Sequence, residues 1–378
     1  MKIVFTGGGT GGHFYPVIAV AEEINKIVSE ERLLAPKLYY IGPSPYDAKA
    51  LYENGIMFRQ SPAGKLRKYF SLLNIFDTIK TAVGVFKSII QLFLIYPDVV
   101  FSKGGYASFP TLLAARLLRV PVIIHESDAV PGRVTLWASR FAKRIAISYP
   151  ETAEHFDKER VAFTGNPVRR ELFTIATEGG KEFLDLDPGI PTVLFLGGSQ
   201  GAEHINNVIL DALPRLVERY QIIHQTGRAH FKEIERTADV VLAESQFKSR
   251  YMPFDFLHAL ALRMAAGAVS LVVSRAGSGS IFEIALWGVP SIIVPIPEEV
   301  SRDQRSNAFS YARSGAAIVV EEANLTPNLL VSEIDRLLGD KKLWASMKES
   351  TKAFARPRAG RVIAEEIIRF ARQHELSP

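Results

Sequence analysis

Glu283 and the turn before it carry the clearest chemical suggestion in the chain. Ser274–Pro290 reads SRAGSGSIFEIALWGVP. The apolar run Ser270–Ser274 reads as a buried parallel strand, Ala276-Gly277-Ser278-Gly279 as a turn, and Ile281, Ile284 and Ala285 fall at helical spacing. Small residues in such a turn let a ligand approach the backbone. The new helix then points its N–H groups and positive dipole end at the ligand. A phosphate is the expected guest. Glu283, about a turn and a half into the helix, can accept two hydrogen bonds from a ribose diol. On this stretch alone, a strand–turn–helix with a solvated or capping Glu explains the residues equally well.

Two other places offer reactive groups. Gly7–His13, GGGTGGH, follows the apolar strand Lys2–Thr6, and Tyr15-Pro16 then opens a helix running to about Ser29. Counting glycines alone, this fits a dinucleotide fingerprint. No acidic residue ends the next strand, Lys37–Gly42, so a nicotinamide cofactor is disfavoured. His13 closes the loop, where its imidazole faces the same cavity as the loop amides. Its ordinary pKa near 6.5 suits proton transfer. The second place is His125-Glu126-Ser127-Asp128, an imidazole and two carboxylates within four residues. It is not HExxH, and zinc is disfavoured. A catalytic acid or base, or an acceptor for a sugar hydroxyl, is expected among these groups. His125 suits a buried role bonding loop backbone equally well. Asp185-Leu186-Asp187 matches a metal-binding DxD superficially, but it lies in a linker rather than at a strand end and reads as solvated. The chain has no cysteine, which removes disulfides, thiolate catalysis and Cys-ligated metals. Neither a metal nor a cofactor is expected.

These loops need strands to hold them. The chain has 378 residues, comfortable for two domains, and 47% apolar with 22% charged residues is a globular balance. Strand-like runs at Leu38–Ile41, Met57–Ser61, Val99–Ser102, Val120–His125, Arg144–Ser148 and Val161–Thr164 are mostly separated by helical patterns. That alternation predicts a parallel sheet covered on both faces, with ligands at the carboxyl ends of its strands. Lys103-Gly104-Gly105-Tyr106 falls at such an end. Thr192–Leu196 restarts the device, followed by Gly197–Gly201, GGSQG, and by runs at Ile222–Gln225, Ser249–Met252, Ser291–Pro295 and Ala317–Val320. The expected architecture is α/β, with domains over 1–168 and 169–356 and a C-terminal helix, about 357–378, returning to the first.

The net charge of +5 suits nucleotide phosphates, an anionic lipid surface or nucleic acid without choosing among them. No signal peptide is visible, and no uninterrupted apolar run reaches about 18 residues, so no transmembrane helix is expected. Gly64–Tyr96 combines Lys65, Arg67 and Lys68 with Phe70, Leu72, Leu73, Ile75, Phe76 and Ile79, and ends in SIIQLFLIY. Its surplus of aromatics beside basic residues points to an interfacial surface on anionic lipid rather than a wholly buried helix.

Taken together, GGTGGH, GGY-x-S-x-P at Gly104–Pro110, GNPVR at Gly165–Arg169, GGSQGA at Gly197–Ala202, and SRAG…E with GVP and DQ-x-x-NA at Asp303–Ala308 resemble the MurG family. The resemblance runs in order over essentially the whole chain. It implies a GT-B fold, two doubly wound Rossmann-like domains facing a central cleft. The implied activity is an inverting N-acetylglucosaminyltransferase that makes lipid II from lipid I and UDP-N-acetylglucosamine, on the cytoplasmic face of the cell membrane. Cell-wall assembly proteins are implied as partners, and nucleic acid is not. It further implies that Arg169 and Ser199 contact the donor phosphates and that Ser278, Gly279, Ser280, Ile281 and Phe282 wrap the diphosphate and nucleoside. Glu283 takes the ribose, Gln304 the sugar hydroxyls, and the backbone near Leu257 the uracil. Thr10, Gly11, Gly12 and His13 face the sugar and the acceptor diphosphate, and Gly104, Gly105, Tyr106 and Ser108 the acceptor. His13, Glu126 and Asp128 are the candidate bases, with Asp128 also expected at the sugar. The family pattern His-Glu-Gln-Asn stands here as His-Glu-Ser-Asp, so an amide that donates and accepts becomes an acid that, ionised, only accepts. A glycolipid synthase of related fold and a UDP-N-acetylglucosamine 2-epimerase are the alternative readings.

Overall fold

The computed structural model describes residues 1–65, 73–173, 175–176, 179–197, 203–299 and 302–373. The chain forms two units, Met1–Arg169 with Arg356–Pro378, and Arg170–Ala355.

The first unit is built on strands β1 (Lys2–Thr6), β2 (Lys37–Gly42), β3 (Ile56–Gln60), β4 (Val99–Ser102), β5 (Val122–Glu126), β6 (Arg144–Ile147) and β7 (Val161–Phe163). They form one parallel sheet in the order β3-β2-β1-β4-β5-β6-β7. Helices cover both faces, so β4 and β5 are buried end to end and, up to their polar carboxyl ends, apolar without alternation. Strand order reverses between β1 and β4. Outside their carboxyl ends lies the crevice where such sheets bind ligands.

The helix after β1 runs Gly11–Glu30, starting four residues before the Tyr15-Pro16 expected to open it. Thr10 is its extended N-cap, and its carbonyl oxygen accepts from the His13 and Phe14 N–H groups, each at 3.1 Å. Glycine's poor helix propensity is outweighed by the burial of Phe14, Val17 and Ile18 against the sheet. Pro16 therefore sits inside the helix, where it leaves the Gly12 carbonyl without its usual helical donor. The C-terminal helix Ala359–Ala371 packs against this one within the first unit. Gly360 lies over the Ala19 carbonyl oxygen, Arg361 pairs with Glu30 at 2.9 Å, and Ile363, Ile367 and Ile368 join the core. Each such side chain contributes roughly 1.5–3 kcal/mol on burial.

Helix Leu73–Ile95 has two faces. Ser88, Leu92 and Ile95 are buried, and a Cβ at Gly84 would collide with the Pro62 carbonyl oxygen, so the helix lies directly on the 61–65 segment. On the other side Phe76, Ile79, Val83, Phe86, Ile90 and Phe93 form an exposed stripe, with Phe76 and Phe93 each 70% exposed. The helix is thus not wholly buried. By length and composition alone Ile75–Ile95 is apolar enough to cross a membrane, at a mean hydropathy of 1.5, although Asp77, Lys80 and Lys87 interrupt it. Arg67, Lys68, Phe70 and Leu72 lie outside the described residues.

The second unit repeats the device. Strands β8 (Thr192–Leu196), β9 (Gln221–Gln225), β10 (Tyr251–Phe254), β11 (Leu271–Arg275), β12 (Ser291–Val294) and β13 (Ala317–Val319) form a parallel sheet in the order β10-β9-β8-β11-β12-β13. Its reversal falls between β8 and β11. Helix Ser278–Trp287 follows β11 and ends at Gly288, whose φ of 68° is the left-handed stop that glycine takes without strain. Asp187 belongs to a turn, its Oδ1 accepting the Gly189 N–H at 2.7 Å.

Candidate active site

In the first unit, the loops after β1, β4 and β5 meet at the sheet reversal. Gly105, with φ 78°, comes so close to Gly8 that a Cβ there would lie 2.7 Å from the Gly8 Cα and 3.4 Å from the His13 ring. Only glycine on both sides lets the two loops close around the imidazole. His13 is partly buried and its Nδ1 lies 2.8 Å from Thr10 Oγ1. If Nδ1–H donates to Thr10, the Nε2 lone pair is left to accept a proton. Burial, reinforced by the charge of Lys103 and opposed by Asp128, lowers the His13 pKa to about 4. The ring is therefore neutral at pH 7.

The His125-Glu126-Ser127-Asp128 run divides its labour. His125 is wholly buried, and its Nε2 lies 3.0 Å from the Gly165 carbonyl oxygen, which accepts its proton. Burial holds it neutral, well below the ordinary histidine range. It clamps the Gly165 turn and is structural. Glu126 accepts the Asp128 N–H at 3.1 Å and the Gly132 N–H at 3.0 Å, so its carboxylate folds the loop that carries Asp128. Burial, then the charge of Asp128, raises its pKa to about 7, against the Thr135 hydroxyl, the Asp128 N–H and Lys103. Asp128 is partly exposed at the loop tip. Thr10 and Gly12 are exposed at the helix start, with Gly11 half-buried. Tyr106 places its hydroxyl against Gly9, with Lys65 Nζ 5.5 Å from its ring centroid. Ser108, expected at the acceptor, is wholly buried and donates to the Gly105 carbonyl at 2.8 Å. That bond shapes the loop that carries Gly105. Arg169 stacks 4.0 Å over the Tyr15 ring in this unit.

In the second unit, helix Ser278–Trp287 closes its first bond from the Ile281 N–H to the Gly277 carbonyl at 3.0 Å. The amides of Ser278, Gly279 and Ser280 thus precede the ladder at the positive end of the helix. Ile281 and Phe282 are buried, while Glu283 is partly exposed. Gln304 is half-buried, its Oε1 accepting the Ile296 N–H at 3.4 Å. The side chain of Leu257 is buried and its N–H donates to Gln225 Oε1 at 2.9 Å. Ser199 lies outside the described residues.

Reading the sequence alone missed the residues that brace these loops. Lys103 is wholly buried among His13, Glu126 and Asp128. His224 bridges Tyr251 Oη at 2.9 Å and Asn206 Oδ1 at 3.0 Å, tying β9 and β10 to the helix after the GGSQG loop. Burial lowers its pKa to about 3. Arg275, at the end of β11, forms a two-pronged pair with Glu322 at 2.8 and 2.9 Å, each side chain 13% exposed. Breaking such a pair from one side strands a buried charge. Arg275→Met is expected to cost on the order of 3 kcal/mol, read as a lower thermal midpoint, with part recovered in R275M/E322M. Equal midpoints in the single and double variants would show that the two groups are not coupled.

Residues 3–147 match the glycosyltransferase family 28 N-terminal domain and residues 192–361 its C-terminal domain. Over an alignment 388 positions long, the chain is 34% identical to the UDP-N-acetylglucosamine--N-acetylmuramyl-(pentapeptide) pyrophosphoryl-undecaprenol N-acetylglucosamine transferase of Treponema denticola, covering 97% of each. The chain belongs to glycosyltransferase family 28, in its MurG group. The crystal structure of Acinetobacter baumannii MurG superposes with a TM-score of 0.73 at 26% identity, over 97% of this chain and 99% of that one. A putative UDP-N-acetylglucosamine 2-epimerase from Listeria monocytogenes superposes at 0.69 with 15% identity, over 100% and 97%, a likeness of fold alone. The family 28 fold is of the GT-B type, with a parallel Rossmann-like sheet in each unit.

Proposed function

We propose that the chain moves N-acetylglucosamine from UDP-N-acetylglucosamine to the C4 hydroxyl of N-acetylmuramic acid in lipid I, an undecaprenyl-linked acceptor, giving lipid II for peptidoglycan synthesis. The observation that carries this reading is the full-length kinship with the Treponema denticola transferase. The second unit takes the donor. The amides of Ser278, Gly279 and Ser280, with Ser199, meet the diphosphate charge as it leaves; Arg169, carried by the first unit, is a further candidate for that charge. Glu283 accepts the ribose diol, Gln304 orients the sugar, and the carbonyl of Leu257 is offered to uracil, since its N–H is committed to Gln225.

The first unit takes the acceptor at Thr10, Gly11, Gly12, Gly104, Gly105 and Tyr106. His13 Nε2 takes the proton of the C4 hydroxyl as its oxygen attacks the anomeric carbon. The bond to the diphosphate breaks on the opposite face, and UDP leaves with the electron pair. Asp128 stabilises the imidazolium so formed, and Glu126 holds the loop that carries Asp128. Release of UDP that requires a short-chain lipid I analogue tests the reading. Turnover of UDP-N-acetylglucosamine without an acceptor would count against it.

The exposed stripe of helix Leu73–Ile95 rests on the anionic cytoplasmic face of the membrane as a peripheral attachment. Lys65, Arg67 and Lys68 add about 1 kcal/mol each near such a surface. Phe76→Glu with Phe93→Glu is expected to weaken binding to anionic vesicles at least about tenfold, a loss of about 1.4 kcal/mol, and to leave UDP affinity unchanged. Vesicle binding equal to that of the parent chain would place the membrane contact elsewhere.

A further inference from the structure

Lys103 follows β4 directly and is 1% exposed, yet no step of the reaction above uses it. A lysine is almost never fully buried unless it is paired. Its Nζ donates to the Oγ of Ser127, the residue between Glu126 and Asp128 in sequence. A Cβ at Gly7 would lie 3.4 Å from the Lys103 Cβ and 3.1 Å from the His13 carbonyl oxygen, so the lysine stem is wedged against the loop that carries the imidazole. The charged or titratable groups around it are His13 from the first helix and His125, Glu126 and Asp128 from β5 and its loop. Two carboxyl groups thus share one wholly buried cation. Ser127 and Asp128 are also the positions where this chain departs from His-Glu-Gln-Asn.

We propose that Lys103 is the counter-charge of the Glu126–Asp128 carboxylate pair and, through that pair, a positioning residue for His13. It does not touch the acceptor. Its ammonium offsets the negative charge that Asp128 brings to the loop and adds to the burial that holds the imidazole unprotonated, ready to accept. Burial lowers the Lys103 pKa to about 8, with Glu126 and then Asp128 pulling it back up, so the charge is present at neutral pH. The sign of its effect on His13 follows from charge. A cation nearby disfavours imidazolium and an anion favours it, and the two oppose each other at His13 here. Removing the cation alone raises the His13 pKa, and removing the anion with it restores the balance.

The proposal rests on reading His13 as the base, and its first test does not. In the full chain, the His13 ring resonances are followed by NMR over pH, assigned by their loss in His13→Gln. Lys103→Met is expected to raise the His13 midpoint by about one unit or more. Lys103→Arg, which keeps the charge, leaves it near the parent value, and K103M/D128N brings it back. If Lys103→Met does not fold, the last two variants alone decide. A His13 midpoint in K103M/D128N far from the parent value overturns the pairing. The second arm reads turnover. The acid limb of the kcat profile moves to higher pH in Lys103→Met and returns in K103M/D128N, while in Lys103→Met the KM for a short-chain lipid I analogue stays within about threefold, under 0.7 kcal/mol. A large rise in that KM with an unmoved His13 midpoint would make Lys103 a ligand for the acceptor diphosphate and overturn the proposal. An NMR shift without a matching kinetic shift would keep the charge pairing and reject His13 as the base.

Discussion

His13→Ala is expected to lower kcat by about 100- to 10,000-fold, the range for removing a positioned general base, and to leave UDP affinity unchanged. The imidazole closes the loop after β1, at the sheet reversal, with Nδ1 2.8 Å from the Thr10 hydroxyl oxygen and the two glycine loops pressed around it. Being neutral at pH 7, it needs no prior deprotonation. A low pKa also makes a weak base, so the anionic diphosphates of the bound substrates have to strengthen it, as a nearby negative charge does. The pH profiles of His13→Ala, Glu126→Gln and Asp128→Asn separate the roles. Asp128→Asn removes a charge that favours imidazolium, so its acid limb moves to lower pH. If His13→Ala keeps kcat and only raises the KM for the acceptor, His13 binds, and the base is one of the two carboxylates.

Glu283→Ala is expected to weaken UDP binding on the order of 100-fold, the loss of two hydrogen bonds to a charged acceptor. The carboxylate is partly exposed on a helix whose opposite side is locked by Ile281, Phe282 and Ile284, so the fold survives the change. Calorimetry with UDP and with 2′-deoxy-UDP isolates the diol. The deoxy ligand loses one bond in the parent chain and has less left to lose in the variant. Equal UDP affinity in the parent and Glu283→Ala proteins would remove Glu283 from the ribose.

The loops that carry these two residues were legible because their signals are local. An apolar run, a cluster of small residues and a return to helical spacing occupy about fifteen residues, and strand order then brings β1 to β4 and β8 to β11. The braces were not legible because their partners lie far off in sequence. Arg275 meets Glu322 and His224 meets Asn206 only once the sheet has formed. Lys103-Gly104-Gly105-Tyr106 was legible as a strand end, but burial of Lys103 follows from three loops converging, which no spacing encodes. Helix Gly11–Glu30 starts early for a similar reason: propensity is local, but the burial of Phe14 that overrides it is not. The two faces of Leu73–Ile95 were half legible. Its apolar surplus is written in the composition, while the choice of buried side depends on Pro62 meeting Gly84.

The most direct test of the whole account is the fate of the labelled sugar. UDP-N-acetylglucosamine labelled in the hexosamine is incubated with the full chain and a short-chain lipid I analogue, and the product is analysed by NMR. Label is expected in the lipid fraction as a β-linked N-acetylglucosamine on the C4 oxygen of N-acetylmuramic acid, with UDP released in equal amount. Label that stays in the nucleotide sugar, or reaches the lipid through an α linkage, would contradict it.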